Sequence, residues 1–298
     1  MPRSRLGDVM FKRKEKNISD SEAIKSLPHN RKEVFFDLLK HRKMALFALS
    51  CLVFMFFIPL AVDLFYFNFL EAAAIAADKN EYLFSLLFYS MIIMLPCMLI
   101  GFLGLAGGFH VAKKMVWQEG VSTSFDFFQG IKENWKIALL NGAIFGILLF
   151  GFVVGGSYLL IFAPMEPIWC GIGIGALILI LLLFGMVIVL NFTQGVYYEN
   201  PLRATFKNSF SFLALLNWKI FVIFLLSTGA VISLCCFNFI TMAIGLFLFA
   251  ILNSVVIILY TLVSHSAFDK YINEEHHPEM VGKGLYKVVL NDEDKKEA

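Results

Sequence analysis

Residues 40–66 read KHRKMALFALSCLVFMFFIPLAVDLFY. A basic cluster at Arg42-Lys43 gives way to an apolar run, Met44–Tyr66, interrupted only by Pro59 and Asp63. At 1.5 Å per helical residue such a run crosses the ~30 Å hydrocarbon core of a bilayer. Five further runs follow: Tyr82–Ala112 with Pro96 near its middle, Ile137–Phe162, Ile168–Val196, Ile220–Cys236 and Ile240–Val263. The last two cover residues 220–263, about 66 Å as one helix and twice what a bilayer accepts, so a tight turn near Asn238 is expected.

Composition agrees. Hydrophobic residues make up 59% of the 298, and charged ones 16%, against about 25% in a soluble domain. The mean hydropathy is +0.74, and the 33 Phe fall largely in long apolar runs. The five Cys, at 51, 97, 170, 235 and 236, lie in or beside those runs without metal-ligand spacing and read as small apolar groups. No secretory signal is visible in the polar first 43 residues, so the first run is expected to act as an internal signal-anchor.

The expected fold is an all-α membrane protein with six transmembrane helices. Lys and Arg orient it. With both termini inside, cytoplasmic segments hold 24 of the 25 basic residues, and only Lys79 lies outside. The chain divides into a basic cytoplasmic segment 1–43 containing Lys12-Arg13-Lys14, a six-span domain 44–263, and a cytoplasmic tail 264–298. Outer loops at 67–81, 163–167 and 237–239 are short, while 113–136 and 197–219 lie inside.

Asn134-Trp135-Lys136-Ile137 recurs as Asn217-Trp218-Lys219-Ile220. Before the first copy, Phe125, Phe128, Ile131 and Trp135 follow helical spacing; before the second, Phe206, Phe210 and Leu213 do so. A weaker third copy precedes the first run at Phe35, Phe36 and Leu39. The expected structure is helical hairpins, each introduced by a cytoplasmic interfacial amphipathic helix that rests its aromatic face among headgroups and then turns into the membrane. Trp and Lys are the anchors for that depth.

The stretch GFHVAKKMVWQEGVSTSFDFFQGIKENWKIALL, residues 108–140, resembles the signature region of the YesL-like family of bacterial integral membrane proteins (DUF624). Glu119-Gly120, Asp126-Phe127-Phe128 and Asn134-Trp135-Lys136 carry the likeness, and Asn200-Pro201-Leu202-Arg203 resembles the family's second cytoplasmic loop. The resemblance covers roughly residues 35–265; the longer basic N-terminus and the tail beyond His265 depart from it. It implies a bacterial plasma-membrane protein accompanying carbohydrate uptake, with an ABC-type sugar transporter as a possible partner and no established activity.

Asn141, Asn191 and Asn253 lie within the runs, with Gln194 one turn after Asn191. They form either a polar pocket open to the inside or interhelical hydrogen bonds worth roughly 0.6–2 kcal/mol each. Asp63, the one acid in an apolar run, is expected at the outer end of its helix near water. Gly142–Gly146, Gly151–Gly155 and Gly171, Gly173 and Gly175 suit close helix packing. His276-His277-Pro278-Glu279 lacks a further ligand cluster, and no zincin, phosphate-loop or hydrolase motif occurs. The basic N-terminus suits anionic lipid rather than nucleic acid. The expectation is a non-enzymatic accessory protein without cofactor or metal, its partners the bilayer and a membrane protein, its oligomeric state open. A small transporter using Asn141, Asn191 and Asn253 is the alternative.

Overall fold

The computed structural model describes residues 27–79, 82–161, 167–235 and 239–286, with the backbone alone at 215–218, 232, 233 and 235. The Lys12-Arg13-Lys14 cluster, the turn at Asn238, Cys236 and the end of the tail lie outside these residues, as do the side chains of Asn217 and Trp218. The described elements are helices, without a strand among them. They are α1 (Arg31–His41), α2 (Lys43–Ala76), α3 (Leu83–Val116), α4 (Thr123–Ile161), α5 (Pro167–Tyr197), α6 (Leu202–Phe224), α7 (Ala230–Cys235) and α8 (Phe239–Phe268). A π-helical turn, Leu225–Gly229, joins α6 to α7, and a second, Asp269–Asn273, continues α8.

Five helices are long and apolar enough to cross a membrane: α2, α3, α4, α5 and α8 with its continuation. A bent segment, Leu202–Ala214 followed by Lys219–Gly229 at 100°, has the composition of a further crossing. Neighbours run antiparallel. In α2 and α3, Phe57 meets Gly101 and Val53 meets Gly108. In α4 and α5, Asn141 meets Asn191 and Ile137 meets Gly195. In α2 and α8, Ser50 meets Ser254 and Phe65 meets Phe239. The rings of Phe109 and Phe192 stack at 5.3 Å and join α3 to α5.

Several expectations are corrected. α2 does not stop at Tyr66 but runs to Ala76 through LEAAAIA, a sequence of strong helix formers. It ends where Asp78 turns left-handed at φ 53°, with the paired closing bonds of a Schellman motif from Asp78 N to Ile75 O and Lys79 N to Ala74 O. Asp63 is therefore not a solvated helix end. It is 7% exposed and accepts the Ser90 hydroxyl of α3 at 3.2 Å.

The 113–136 segment is also mostly helix. α4 begins at Thr123 and continues unbroken for 39 residues, about 58 Å. Residues around Asn134-Trp135-Lys136 therefore do not mark a turn into the membrane. Close packing holds the first turns upright: a methyl group on Gly107 would meet Phe127 O at 2.7 Å, and one on Gly130 would meet His110 Cβ. Elsewhere α1 is separated from α2 by a break at Arg42, whose φ is −117° and ψ 29°, and α6 bends between Ala214 and Lys219.

Candidate functional site

The basic residues from the ends of α1, α3 and α8 converge, and so define one end of the bundle. Its first support is the start of α1, capped by Asn30, whose side chain accepts from Glu33 N at 2.9 Å. Glu33 in turn accepts from His29 N at 2.7 Å and Asn30 Nδ2 at 2.6 Å. The backbone N–H of His29 holds the Glu33 carboxyl below its ordinary value, as a charge-accepting bond does. This cap places Arg31 against the far end of the chain.

Asp269, on the turn after α8, is the hub. Its carboxylate accepts Arg31 Nη2 at 2.8 Å, Asn273 Nδ2 at 2.9 Å and the backbone N–H of Gly282 at 3.3 Å. His265 Nδ1 lies 3.4 Å away. Arg31 Nη1 also donates to Lys283 O at 2.8 Å. Asn273 accepts the Tyr198 hydroxyl at 2.6 Å, and burial pushes that phenol up from its ordinary value.

Above the hub lies Trp117, at the end of α3. Gln118 follows it at φ 55°, and α3 closes with bonds from Gln118 N to Met115 O and from Glu119 N to Lys114 O, so the left-handed position falls two residues before Gly120. Trp117 Nε1 donates to His265 Nε2 at 3.1 Å. Lys283 Nζ stands 3.6 Å from its ring centroid and pairs with Glu119 at 3.0 Å. Lys113 Nζ is 4.7 Å from the same ring and donates to Val196 O at 2.7 Å. The tail must pass tightly here: Gly284 has φ 83°, and a methyl group on it would meet Val116 O. Residues 269–286 are thus part of the folded end, and Tyr286 N donates to Pro28 O.

A parallel anchor fixes the start of α4. Asp126 accepts Lys114 Nζ at 2.6 Å and Ser122 N at 2.8 Å, and Glu133 lies 3.5 Å from His110 Nδ1. The buried side of these turns is Asp126, Phe127 and Gly130. The aromatic residues singled out by spacing face outward: Phe125 is 69% exposed, Phe128 56% and Trp135 47%. Lys132 and Lys136 are exposed between them, with Lys136 Nζ 5.7 Å from the Trp135 ring. Asn134 is engaged locally, donating to Gly130 O at 3.0 Å. In the first part of α6, Leu202–Ala214, the buried residues are Thr205, Ser209 and Phe212, while Phe206 packs on Phe210, Phe210 on Phe184, and Lys219 is exposed.

The intramembrane polar residues divide into two groups. Asn191 Nδ2 donates to Asn141 Oδ1 at 2.7 Å, and Gln194 is fully buried on the same helix with neither side-chain polar atom bonded among the described residues. Asn253 is elsewhere, donating to Ser50 O at 3.1 Å and Phe249 O at 2.9 Å between α2 and α8. The expected cluster of three Asn is not formed, because Asn253 faces the first crossing helix. In the tail, His277 packs on Tyr198 and contacts Glu279 at 3.4 Å. No group of three metal-ligating side chains occurs among the described residues.

Trp117, His265, Asp269 and Arg31 were not picked out from the sequence. Arg31, Trp117 and the His265–Asp269 pair lie far apart along the chain and converge only through folding. No family model, curated protein or solved structure matches the chain.

Proposed function

We propose that the protein is a non-enzymatic accessory protein of the bacterial plasma membrane that crosses it six times and engages a membrane partner through its cytoplasmic, basic end. An even number of crossings is supported by Arg31, which precedes the first membrane-length helix, and Asp269, at the end of the last, pairing at 2.8 Å. The bent segment from Lys219 onward then serves as the fifth crossing in a set of helical hairpins. The clustering of Lys and Arg at this end supports a cytoplasmic placement.

The observation that carries the reading is the outward stripe of Phe125, Phe128 and Trp135 interleaved with Lys132 and Lys136. Exposed aromatic residues are enriched in protein-binding patches, and the stripe stands on a helix whose other side is fixed by Lys114–Asp126. The YesL-like resemblance points to an ABC-type sugar transporter as the partner. The test is co-purification in mild detergent of the wild type and a Phe125→Ser/Phe128→Ser/Trp135→Ala variant. The expected result is loss of a stoichiometric partner while membrane insertion is retained. Unchanged recovery would overturn the reading.

A second reading, a small transporter, is favoured by one observation: Asn141, Asn191 and Gln194 are buried with polar atoms unpaired among the described residues. Solute flux into proteoliposomes abolished by Asn141→Leu/Asn191→Leu would support it, and undiminished flux would remove it.

A further inference from the structure

We infer that the groove between α4 and the start of α6 holds one anionic phospholipid. Leu140 and Ile144 of α4 form one wall; Leu202 and Phe206 of α6 form the other, and Arg203 and Lys207 stand at its rim. The groove is open along its outer side and offers about 580 Å³, as a site for a tail that lipid neighbours also cover would be. Its surface is almost wholly apolar apart from the two cations. That combination suits an amphiphile with an anionic head and an alkyl tail, and it offers a soluble phosphate compound little to bind.

Arg203 and Lys207 are one helical turn apart, so they project from the same face. Neither forms an ion pair among the described residues, whereas Arg31, Lys114 and Lys283 each have a carboxylate within 3.0 Å. Their charge is free to meet an anion from outside. The 100° bend lays Leu202–Ala214 across the direction of Lys219–Gly229. Leu140 lies one turn inside the apolar run that starts at Ile137, at the level where headgroups give way to acyl chains. A phosphate between Arg203 and Lys207 would leave an acyl chain lying along Leu140 and Ile144. This rests on the membrane placement proposed above and not on the partner, so failure to capture a partner leaves it standing.

The test uses the full chain, purified in mild detergent and stripped of lipid, then weighed by native mass spectrometry with phosphatidylglycerol or phosphatidylcholine of matched acyl chains. The wild type is expected to retain one phosphatidylglycerol in preference to phosphatidylcholine. Arg203→Ala/Lys207→Ala is expected to weaken that retention roughly tenfold or more. Ile144→Trp, which fills the groove and leaves both cations, is expected to abolish it. Inorganic phosphate at the same concentration is expected not to compete. Equal retention by wild type and the double variant overturns the inference, as does competition by inorganic phosphate, which would mark an anion site without a lipid. Should Ile144→Trp fail to fold, the double variant, altered only at exposed positions, still decides.

Discussion

Trp117 donates its indole N–H to Nε2 of His265 at 3.1 Å, joining the turn after α3 to the end of α8. The bond assigns the neutral tautomer: Nε2 accepts, so the proton sits on Nδ1, which faces Asp269. With Lys283 over the Trp117 ring and Arg31 on Asp269, one side chain each from α1 and the end of α3, two from the end of α8 and one from the tail meet in a single network.

Trp117→Phe tests the donor while keeping a ring for Lys283 and Tyr197. His265 is fully buried, so its stranded Nε2 is expected to cost about 1–3 kcal/mol. Denaturant or thermal unfolding in detergent reads the loss. Stability equal to the wild type would show that the bond carries no weight.

Asp269→Asn should cost more than Arg31→Met. The carboxylate accepts from three donors and has His265 Nδ1 3.4 Å away, whereas Arg31 has Lys283 O as a second acceptor in the wild type. Breaking a largely buried pair from one side costs about 3–5 kcal/mol because the surviving charge is left unpaired. Replacing both residues by apolar ones should cost less than the sum of the single changes, and a double-mutant cycle measures that difference. Strict additivity would deny the coupling between the two ends of the chain.

The helical, membrane-crossing character of the chain was legible because the bilayer imposes it on composition. Which face of each helix is buried was not. In water, an apolar stripe marks the core; against lipid, exposed Phe carries no penalty. Phe125 and Phe128 follow helical spacing and face outward, but nothing in that spacing marks Asp126, Phe127 and Gly130 as the contact with α3. Small and polar residues mark buried faces here, as Ser50 with Ser254 and Asn141 with Asn191 show. The Asp269 hub was illegible for another reason. Its partners come from positions 31, 265, 273 and 282, and no local pattern connects the first with the others.

Gly107→Ala is expected to destabilise the α3–α4 contact by roughly 1–3 kcal/mol, since overpacking against backbone cannot be relieved by a rotamer change. Its methyl group would press on Phe127 O at 2.7 Å. Gly151→Ala in α4 is the matched control. Nothing lies within 4 Å of its added methyl group, so helix propensity alone should make it neutral or stabilising by up to about 1 kcal/mol. Parallel unfolding curves check the contrast, and equal effects would mean that the close contact is not maintained.

Acidification should loosen α1 before the rest of the protein. The folded value of Glu33 is lowered by the backbone N–H of His29, so its contribution is fully present above the ordinary value of 4.5. It is lost as pH falls through the lowered folded value. Amide exchange over residues 31–41 should therefore rise with acid, and Glu33→Gln should remove that dependence. A pH response unchanged by Glu33→Gln would place its origin in another group.

The Asn141–Asn191 bond distinguishes packing from a working polar site. If it serves only to join α4 and α5, Asn141→Leu alone should cost roughly 0.6–2 kcal/mol by leaving Asn191 unpaired. Adding Asn191→Leu should then recover part of the loss, because apolar replacement of both partners removes the buried polar groups together. A protein that is stable in the double variant but has lost its cellular role would instead assign a task to the pair beyond packing. Gln194 sharpens the comparison, since it lies one turn further along α5 with no described partner. Gln194→Leu should raise stability if its amide is merely buried, and a role for the pair predicts that the same substitution impairs function without lowering stability.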